Sequence, residues 1–274
     1  MDPKEESKIS EHDAGRLYTG MQDLPGMIEL LRALRPAPWL SDFPSAADLR
    51  EVLALPRVQE NTRLWFDDRE QMVAFAFVDT FHNLRFEIDR QRADAAVEAA
   101  LVDWGLICLR RIMREKEGVL TLDASCRDED VERVALLERN GFERQERYSL
   151  FMERALHEPF PRPDLPHGFQ LRPVLGEQEA AEIVALHRLA FGTEYMTVES
   201  RLNAMRTPGY DPDLDLVVIA PDGRIAAYAL FTLIQEENER DDRSEGHADV
   251  GATHPDFQRQ GLGRALFLTG MELL

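Results

Sequence analysis

The chain repeats itself, and that repeat restricts it to two copies of one domain. Gly168-Phe-Gln-Leu-Arg lies over Gly15-Arg-Leu-Tyr-Thr at an offset of 153 residues. At the same offset Ile225-Ala-Ala-Tyr-Ala-Leu lies over Met72-Val-Ala-Phe-Ala-Phe. Solenoid units recur every ~20–50 residues, so a period this long describes whole domains. Between the copies, residues 155–167 (ALHEPFPRPDLPH) carry four prolines in thirteen positions. Proline has no amide donor for a helix or a central strand, and the stretch reads as an extended linker. The expected layout is one domain over 1–154, a linker over 155–167 and a second domain over 168–274.

Within each copy, helical and strand periods alternate. The first copy should open with a short strand at Gly15–Thr19. Helix-spaced apolar residues then run from Gln22 to Leu34 and from Ala93 to Arg114, and Ser45 is placed to cap a helix. Strands are expected at Thr62–Phe66, Met72–Phe81, Leu84–Ile88, Val119–Leu122 and Phe142–Met152, with a helix from Asp128 to Asn140 closed by Gly141. In the second copy Pro221-Asp-Gly-Arg marks a tight hairpin. The fold class is therefore α/β, an α+β mixed sheet in each copy.

Past the third strand the offset becomes 168, because the second copy carries a longer acidic loop, Gln235–Ser244. There Gln258-Arg-Gln-Gly-Leu-Gly lies over Arg90-Gln-Arg-Ala-Asp-Ala, so Gly261 and Gly263 stand where the first copy has Ala93 and Ala95. A loop that wraps a pyrophosphate turns its amides inward and lets the anion approach the main chain, which a Cβ obstructs. A helix starting near Gly263 would add unpaired amides and a positive dipole end, and Arg259 and Arg264 would add charge. Neither the Gly-x-Gly-x-x-Gly of a dinucleotide fold nor the Gly-Lys-Ser/Thr of a P-loop is present.

Strand, proline break, loop and helix follow one another in Asp249-Val-Gly-Ala-Thr-His-Pro and Asp256-Phe-Gln-Arg-Gln-Gly-Leu-Gly-Arg-Ala-Leu. This order resembles the GNAT superfamily of acetyltransferases, whose hallmark is Gln/Arg-x-x-Gly-x-Gly/Ala. In the first copy Val134-Ala-Leu-Leu-Glu-Arg-Asn-Gly-Phe142 is similar to the family's fourth helix, with Leu137 where a tyrosine is usual. The stretch His187–Met205 is similar to mycothiol synthases, which are tandem proteins of this kind. The resemblance implies two tandem GNAT-like domains, the first degenerate at its cofactor loop. It also implies acetyl-CoA as acetyl donor, a small-molecule primary amine as acceptor, and no metal. Thr253, Gln258, Arg259, Gln260, Gly261, Leu262, Gly263 and Arg264 are then the cofactor-binding residues, Thr253 through its backbone. The amine must lose a proton as it attacks the thioester, so a general base is needed. The family's usual position, counted back from Pro255, falls on His247, where many relatives have glutamate. Imidazoles titrate near neutrality, which suits the task. Strand alternation would put Glu245 on the same face as His247, as its charge partner or as the alternative base.

The formal net charge is -19. Such a chain repels polyphosphate, which argues against nucleic acid, and attracts cations such as amines. No run reaches the ~20 apolar residues that a membrane span needs. The N-terminus, MDPKEESKISEHD, has no signal-peptide pattern. The reading is cytoplasmic, with Cys108 and Cys126 as reduced structural thiols. A homodimer stays open. Other polar residues read more plainly: Asp249 as a solvated or capping group, His254 as a surface residue, Glu236–Asp242 as an unstructured acidic loop, and Trp39, Trp65 and Trp104 as packing. Glu194 and Tyr195 are candidates for the acceptor wall. Leu274 less 168 is 106, so Ile107–Glu153 of the first copy have no counterpart. The second domain is therefore expected to be truncated after its third helix. Two function classes follow: an N-acetyltransferase with a catalytic second domain, or a non-catalytic module that binds acyl-CoA without transfer.

Overall fold

Alternating apolar residues need a second layer to bury them, and each copy supplies one on both faces of a sheet. The computed structural model describes residues 15–115, 120–159, 161–207, 209–233, 235–240, 242 and 244–274. The chain divides into two compact units, with the division between Ser149 and Leu150. It is a mixed α/β protein with two antiparallel four-stranded sheets.

The first unit runs β1 (Arg16–Leu17), α1 (Leu24–Leu34), α2 (Ala46–Val52), α3 (Pro56–Glu60), β2 (Thr62–Phe66), β3 (Met72–Val78), β4 (Leu84–Ile88), α4 (Ala95–Glu115) and α5 (Val131–Arg139). The sheet order is β1-β2-β3-β4. Leu64, Phe75 and Phe77 pack on α1 and α2, while Trp65, Ala74, Ala76 and Phe86 pack on α4. Phe75 and Phe77 are fully buried; each contributes roughly 1.5–3 kcal/mol by leaving water. Ser45 caps α2 through a reciprocal pair with Asp48, as its sequence predicts.

Two expected strands in this unit do not form. Val119 lies outside the described residues, and residues 120–122 are not strand, although Asp123 makes a parallel bridge to Asn83. Phe142–Met152 has no strand, and its Tyr148, Leu150 and Met152 are exposed. Alternation is only half of a strand; the other half is a neighbour to complete the ladder, and among the described residues none pairs with this segment.

The second unit runs β5 (Gln170–Pro173), α6 (Ala180–Phe191), α7 (Val198–Met205), β6 (Asp215–Ile219), β7 (Ile225–Thr232), α8 (Gln235–Arg240), β8 (His247–Thr253) and α9 (Leu262–Leu273). Its order is β5-β6-β7-β8. The hairpin closes where Ala220 and Arg224 pair, with Gly223 at φ +89°. The register slips between Trp65 and Phe66 of β2 and between Val218 and Ile219 of β6, again 153 residues apart. The repeat thus extends to an irregularity that propensity does not encode.

In this unit Val217 and Tyr228 face α6, and Leu216, Val218, Ala229 and Phe231 face α9. The ring of Phe231 lies so close to α9 that a Cβ on Gly270 would stand 2.2 Å from it. Only glycine permits that approach. The acidic stretch read as unstructured contains α8, although Asp241 and Arg243 lie outside the described residues.

Candidate functional site

A groove of about 340 Å³ runs beside β8, walled by Ala190 and Phe191 at the end of α6. Its floor is Gly251, Ala252 and Thr253, and Gln258 and Arg259 close it. The backbone of β8 turns outward along this side, where Gln258 Nε2 donates to the Thr253 carbonyl at 3.4 Å. His254 donates its amide to Ala226 at 2.8 Å, so alternation turns the amides and carbonyls of Thr253 and Gly251 to the outer edge. Such an edge can receive an extended chain that carries its own amides.

Beyond Thr253 the chain makes a tight turn at Pro255–Phe257. His254 accepts from the Asp256 amide at 3.1 Å, and Arg224 stacks on Phe257 at 4.7 Å. His254 therefore holds the turn, where a plain surface residue was expected. Arg259 and Gly261 follow with φ of +64° and +86°. Gly261 is the residue before α9 and has no side chain to cap it. The amides of Leu262, Gly263 and Arg264 precede the first intrahelical donor, since Ala265 is the first to donate back, to the Gly261 carbonyl. A Cβ on Gly261 would meet no protein atom within 4 Å, and one on Gly263 would lie 3.6 Å from the hydroxyl of Thr253. Neither glycine is there to relieve a clash within the protein. Gly261 is needed for its left-handed backbone, and the space beside it is open. Gln260, Arg259 and Arg264 are exposed around this opening, whereas the side chain of Leu262 is buried in the core and leaves only its amide to a ligand. These features fit an anion at the start of α9 joined to an extended chain along β8.

The expected base sits differently from its prediction. Phe231 pairs with Ala248 and Leu230 with Val250, so Asp249 is an extra residue, a bulge in β8. His247 pairs with Thr232 and shares the α6 side of the sheet with Val250 and Ala252. Simple alternation from Thr253 would have put it on the α9 side. Glu245 precedes the strand, its backbone bonded both ways to Asn238 of α8 at 2.8 and 3.2 Å. Alternation therefore does not join Glu245 to His247, and neither lines the groove. Of the acceptor-wall candidates, Glu194 pairs with Arg188 at 2.9 Å and Tyr195 is half exposed, both in the connection from α6 to α7.

Two polar clusters behind the groove are absent from the sequence reading. His187 Nδ1 and the Tyr228 hydroxyl share a 2.6 Å hydrogen bond, and the His187 ring packs 4.6 Å from that of Phe191. Burial lowers the pKa of His187 and raises that of Tyr228. Further along, the buried pair Arg201–Asp215 takes a third partner in the Tyr210 hydroxyl at 2.6 Å. Arg201 Nε and Asp215 Oδ1 find no partner among the described residues. The signal for the first cluster was available: a tyrosine inside the apolar run Ala-Ala-Tyr-Ala-Leu, and a histidine four residues before Phe191 on one helix.

The first unit fills the corresponding places with its own side chains. Asp94 accepts from the amides of Ala96 and Val97 at 2.9 and 3.0 Å, a side-chain cap on the first turn of α4 that α9 lacks. Glu87, opposite Phe75 as Ala252 is opposite Tyr228, is buried between Arg35 (2.8 and 2.5 Å) and Arg133 (2.7 Å). Arg133 also donates to the Phe86 carbonyl at 2.9 Å. A separate cavity of about 210 Å³ in this unit is lined by Arg57, Asn61, Arg111 and Glu115; Arg57 pairs with Glu115, and Arg111 donates to the Glu60 carbonyl and to Asn61. Among the described residues no group of three His, Cys, Asp or Glu could hold a metal ion, and no helix is long and apolar enough to cross a membrane.

The family model for the acetyltransferase (GNAT) family matches residues 180–274. The mycothiol acetyltransferase of Saccharomonospora viridis is 27% identical over 145 residues, 51% of this chain and 47% of that protein. That of Nocardiopsis dassonvillei is 33% identical over 125 residues, 43% of this chain and 38% of that protein. The chain thus spans less than half the length of the curated relatives it matches. A GCN5-related N-acetyltransferase from Sphaerobacter thermophilus superposes with a TM-score of 0.65 at 19% identity, covering 94% of this chain and 82% of that one. A GCN5-related glucosamine N-acetyltransferase region of a fungal multi-domain β-N-acetylglucosaminidase gives 0.54 at 10% identity, covering 93% and 33%. At these identities the superpositions establish the fold.

Proposed function

We propose, for a chain that carries a GNAT acetyltransferase domain over residues 180–274, that its second unit moves an acetyl group from acetyl-CoA to a primary amine of a small molecule. The observation that carries this reading is the uncapped start of α9 at Gly261, opening onto the outer edge of β8. The α9 amides, with Arg259 and Arg264, hold the pyrophosphate. Gly251 and Thr253 hold the pantetheine arm by backbone hydrogen bonds. A chain lying along β8 from Thr253 reaches the His247 end of the strand after five ladder steps, roughly 17 Å at ~3.3 Å per residue. There His247, directly or through a water, takes the proton of the attacking amine, with Glu245 as the alternative. As the C–N bond forms the C–S bond breaks, and the proton returns to the departing thiolate.

The first unit, by this reading, is a degenerate GNAT-like partner that binds no cofactor. The named relatives make a mycothiol-type amine the first acceptor to assay. Cys108 and Cys126 are both unpaired, which suits a reducing compartment, and the proposed setting is the cytoplasm.

The second reading, an acyl-CoA-binding module without turnover, is favoured by His247 not being among the residues that line the groove. Turnover with a panel of small amines, alongside calorimetric titration with acetyl-CoA, separates the two. His247→Ala should lower kcat by roughly 10²–10⁴ with cofactor affinity kept, as expected for loss of a general base. Tight binding without turnover by the wild-type chain would leave the module reading.

A further inference from the structure

The groove has two walls, the end of α6 and the strand β8, that no backbone hydrogen bond joins among the described residues. Two side chains join them from behind. His187 packs its ring, tilted by 42°, against Phe191, which lines the groove one helical turn further along α6. Tyr228 stands directly opposite Ala252, which lines it from β8. Between them His187 Nδ1 and the Tyr228 hydroxyl share the 2.6 Å hydrogen bond. Tyr228 is fully buried in a strand otherwise made of alanine, leucine, isoleucine, phenylalanine and threonine. A phenylalanine, as at the equivalent Phe75 of the first unit, would fill the same space without a polar atom to satisfy. The hydroxyl is therefore costly there unless its partner is held in place, and its partner carries the groove wall.

We infer that the His187–Tyr228 hydrogen bond is a latch that fixes the width of the groove, making both residues positioning residues for the acyl donor. The latch acts through Phe191 and Ala252 and touches no reacting atom. It rests on the reading of this groove as the acetyl-CoA site.

Tyr228→Phe and His187→Phe each remove the bond and keep a ring. Calorimetry on the full chain should find acetyl-CoA bound roughly five- to tenfold more weakly by either variant, the size of one lost hydrogen bond. The double variant should be no weaker than the worse single one, because one bond cannot be lost twice. His187→Asn, which can offer an oxygen near the place of Nδ1, should recover most of the affinity. Tyr210→Phe is the control: it loses an equally short bond, to Asp215, and should lower Tm while leaving the affinity alone. Equal affinity in all variants, with the wild type binding, would overturn the latch and leave the donor site standing. Additive losses in the double variant, or an equal loss in Tyr210→Phe, would reduce the pair to ordinary stabilisation and overturn it too. A wild-type chain that binds no acetyl-CoA would overturn the donor site and the latch together.

Discussion

Gly261 holds φ at +86° with open space where a side chain would go, and these two facts make separate predictions. A left-handed backbone costs a residue with a Cβ about 1–2 kcal/mol, so Gly261→Ala should lower stability by roughly that amount. The same methyl would stand where the anion approaches, so acetyl-CoA affinity should fall by about tenfold or more, well beyond what the small stability change accounts for. Gly261→Asp adds a negative charge and should abolish binding in calorimetry. A variant that is destabilised but binds normally would mean that the glycine serves the turn alone. His187 gives a pH prediction. Its pKa is lowered by burial, with Tyr228 bonded to it and Phe191 against its ring. The fold thus favours the neutral imidazole, while the unfolded chain takes up a proton near pH ~6.5. Stability is full above that value and declines as pH falls below it toward the depressed folded value. Melting scans at pH 8 and pH 5 should differ less in His187→Asn than in the wild type.

At the scale of elements, what the sequence reveals is what is local. The capping box of α2, the hairpin turn at Gly223 and the glycine before α9 each depend on a few consecutive residues, and each stands where its residue types require. The strand expected at Phe142–Met152 fails for the opposite reason. Its alternation is genuine, but a ladder needs a partner edge that no residue of the segment specifies. The bulge at Asp249 is likewise a property of two strands, since it arises from how β8 registers on β7. It moves His247 to the other face of the sheet, which no count along one strand could foresee. Glu87 is the clearest case. In sequence it is one acidic residue in Leu-Arg-Phe-Glu-Ile; in the fold it is buried between arginines 52 and 46 positions away. Removing one partner of a buried ion cluster strands the others, at roughly 3–5 kcal/mol. Glu87→Ala should lower the stability of the first unit by about that much in urea titration. An unchanged midpoint would mean that water already screens the cluster.

For the whole molecule, the two units share a sheet order and a repeat offset yet differ at every feature that would admit a cofactor. In the second unit the helix start is glycine, uncapped and beside an open groove. In the first, Asp94 caps the first-turn amides of α4 with its own carboxylate, and Arg133 with Glu87 occupies the strand edge. An internal carboxylate at a helix start satisfies the same orphan amides as a bound anion, without the entropy of capturing a ligand. The first unit therefore gains nothing from acetyl-CoA, and the chain should bind one molecule. Calorimetric titration of the full chain should give a stoichiometry of one, falling to zero in Gly261→Asp. Ligand at a hundredfold excess over Kd stabilises what binds it by ~2.7 kcal/mol, so saturating acetyl-CoA should raise the unfolding midpoint of the second unit and leave Glu87→Ala as unstable in the first as it is without ligand. Two equivalent sites would show that a capped helix and a plugged edge do not keep the cofactor out. The repeat would then be functional in both copies, and the difference between Gly261 and Ala93 would carry no weight.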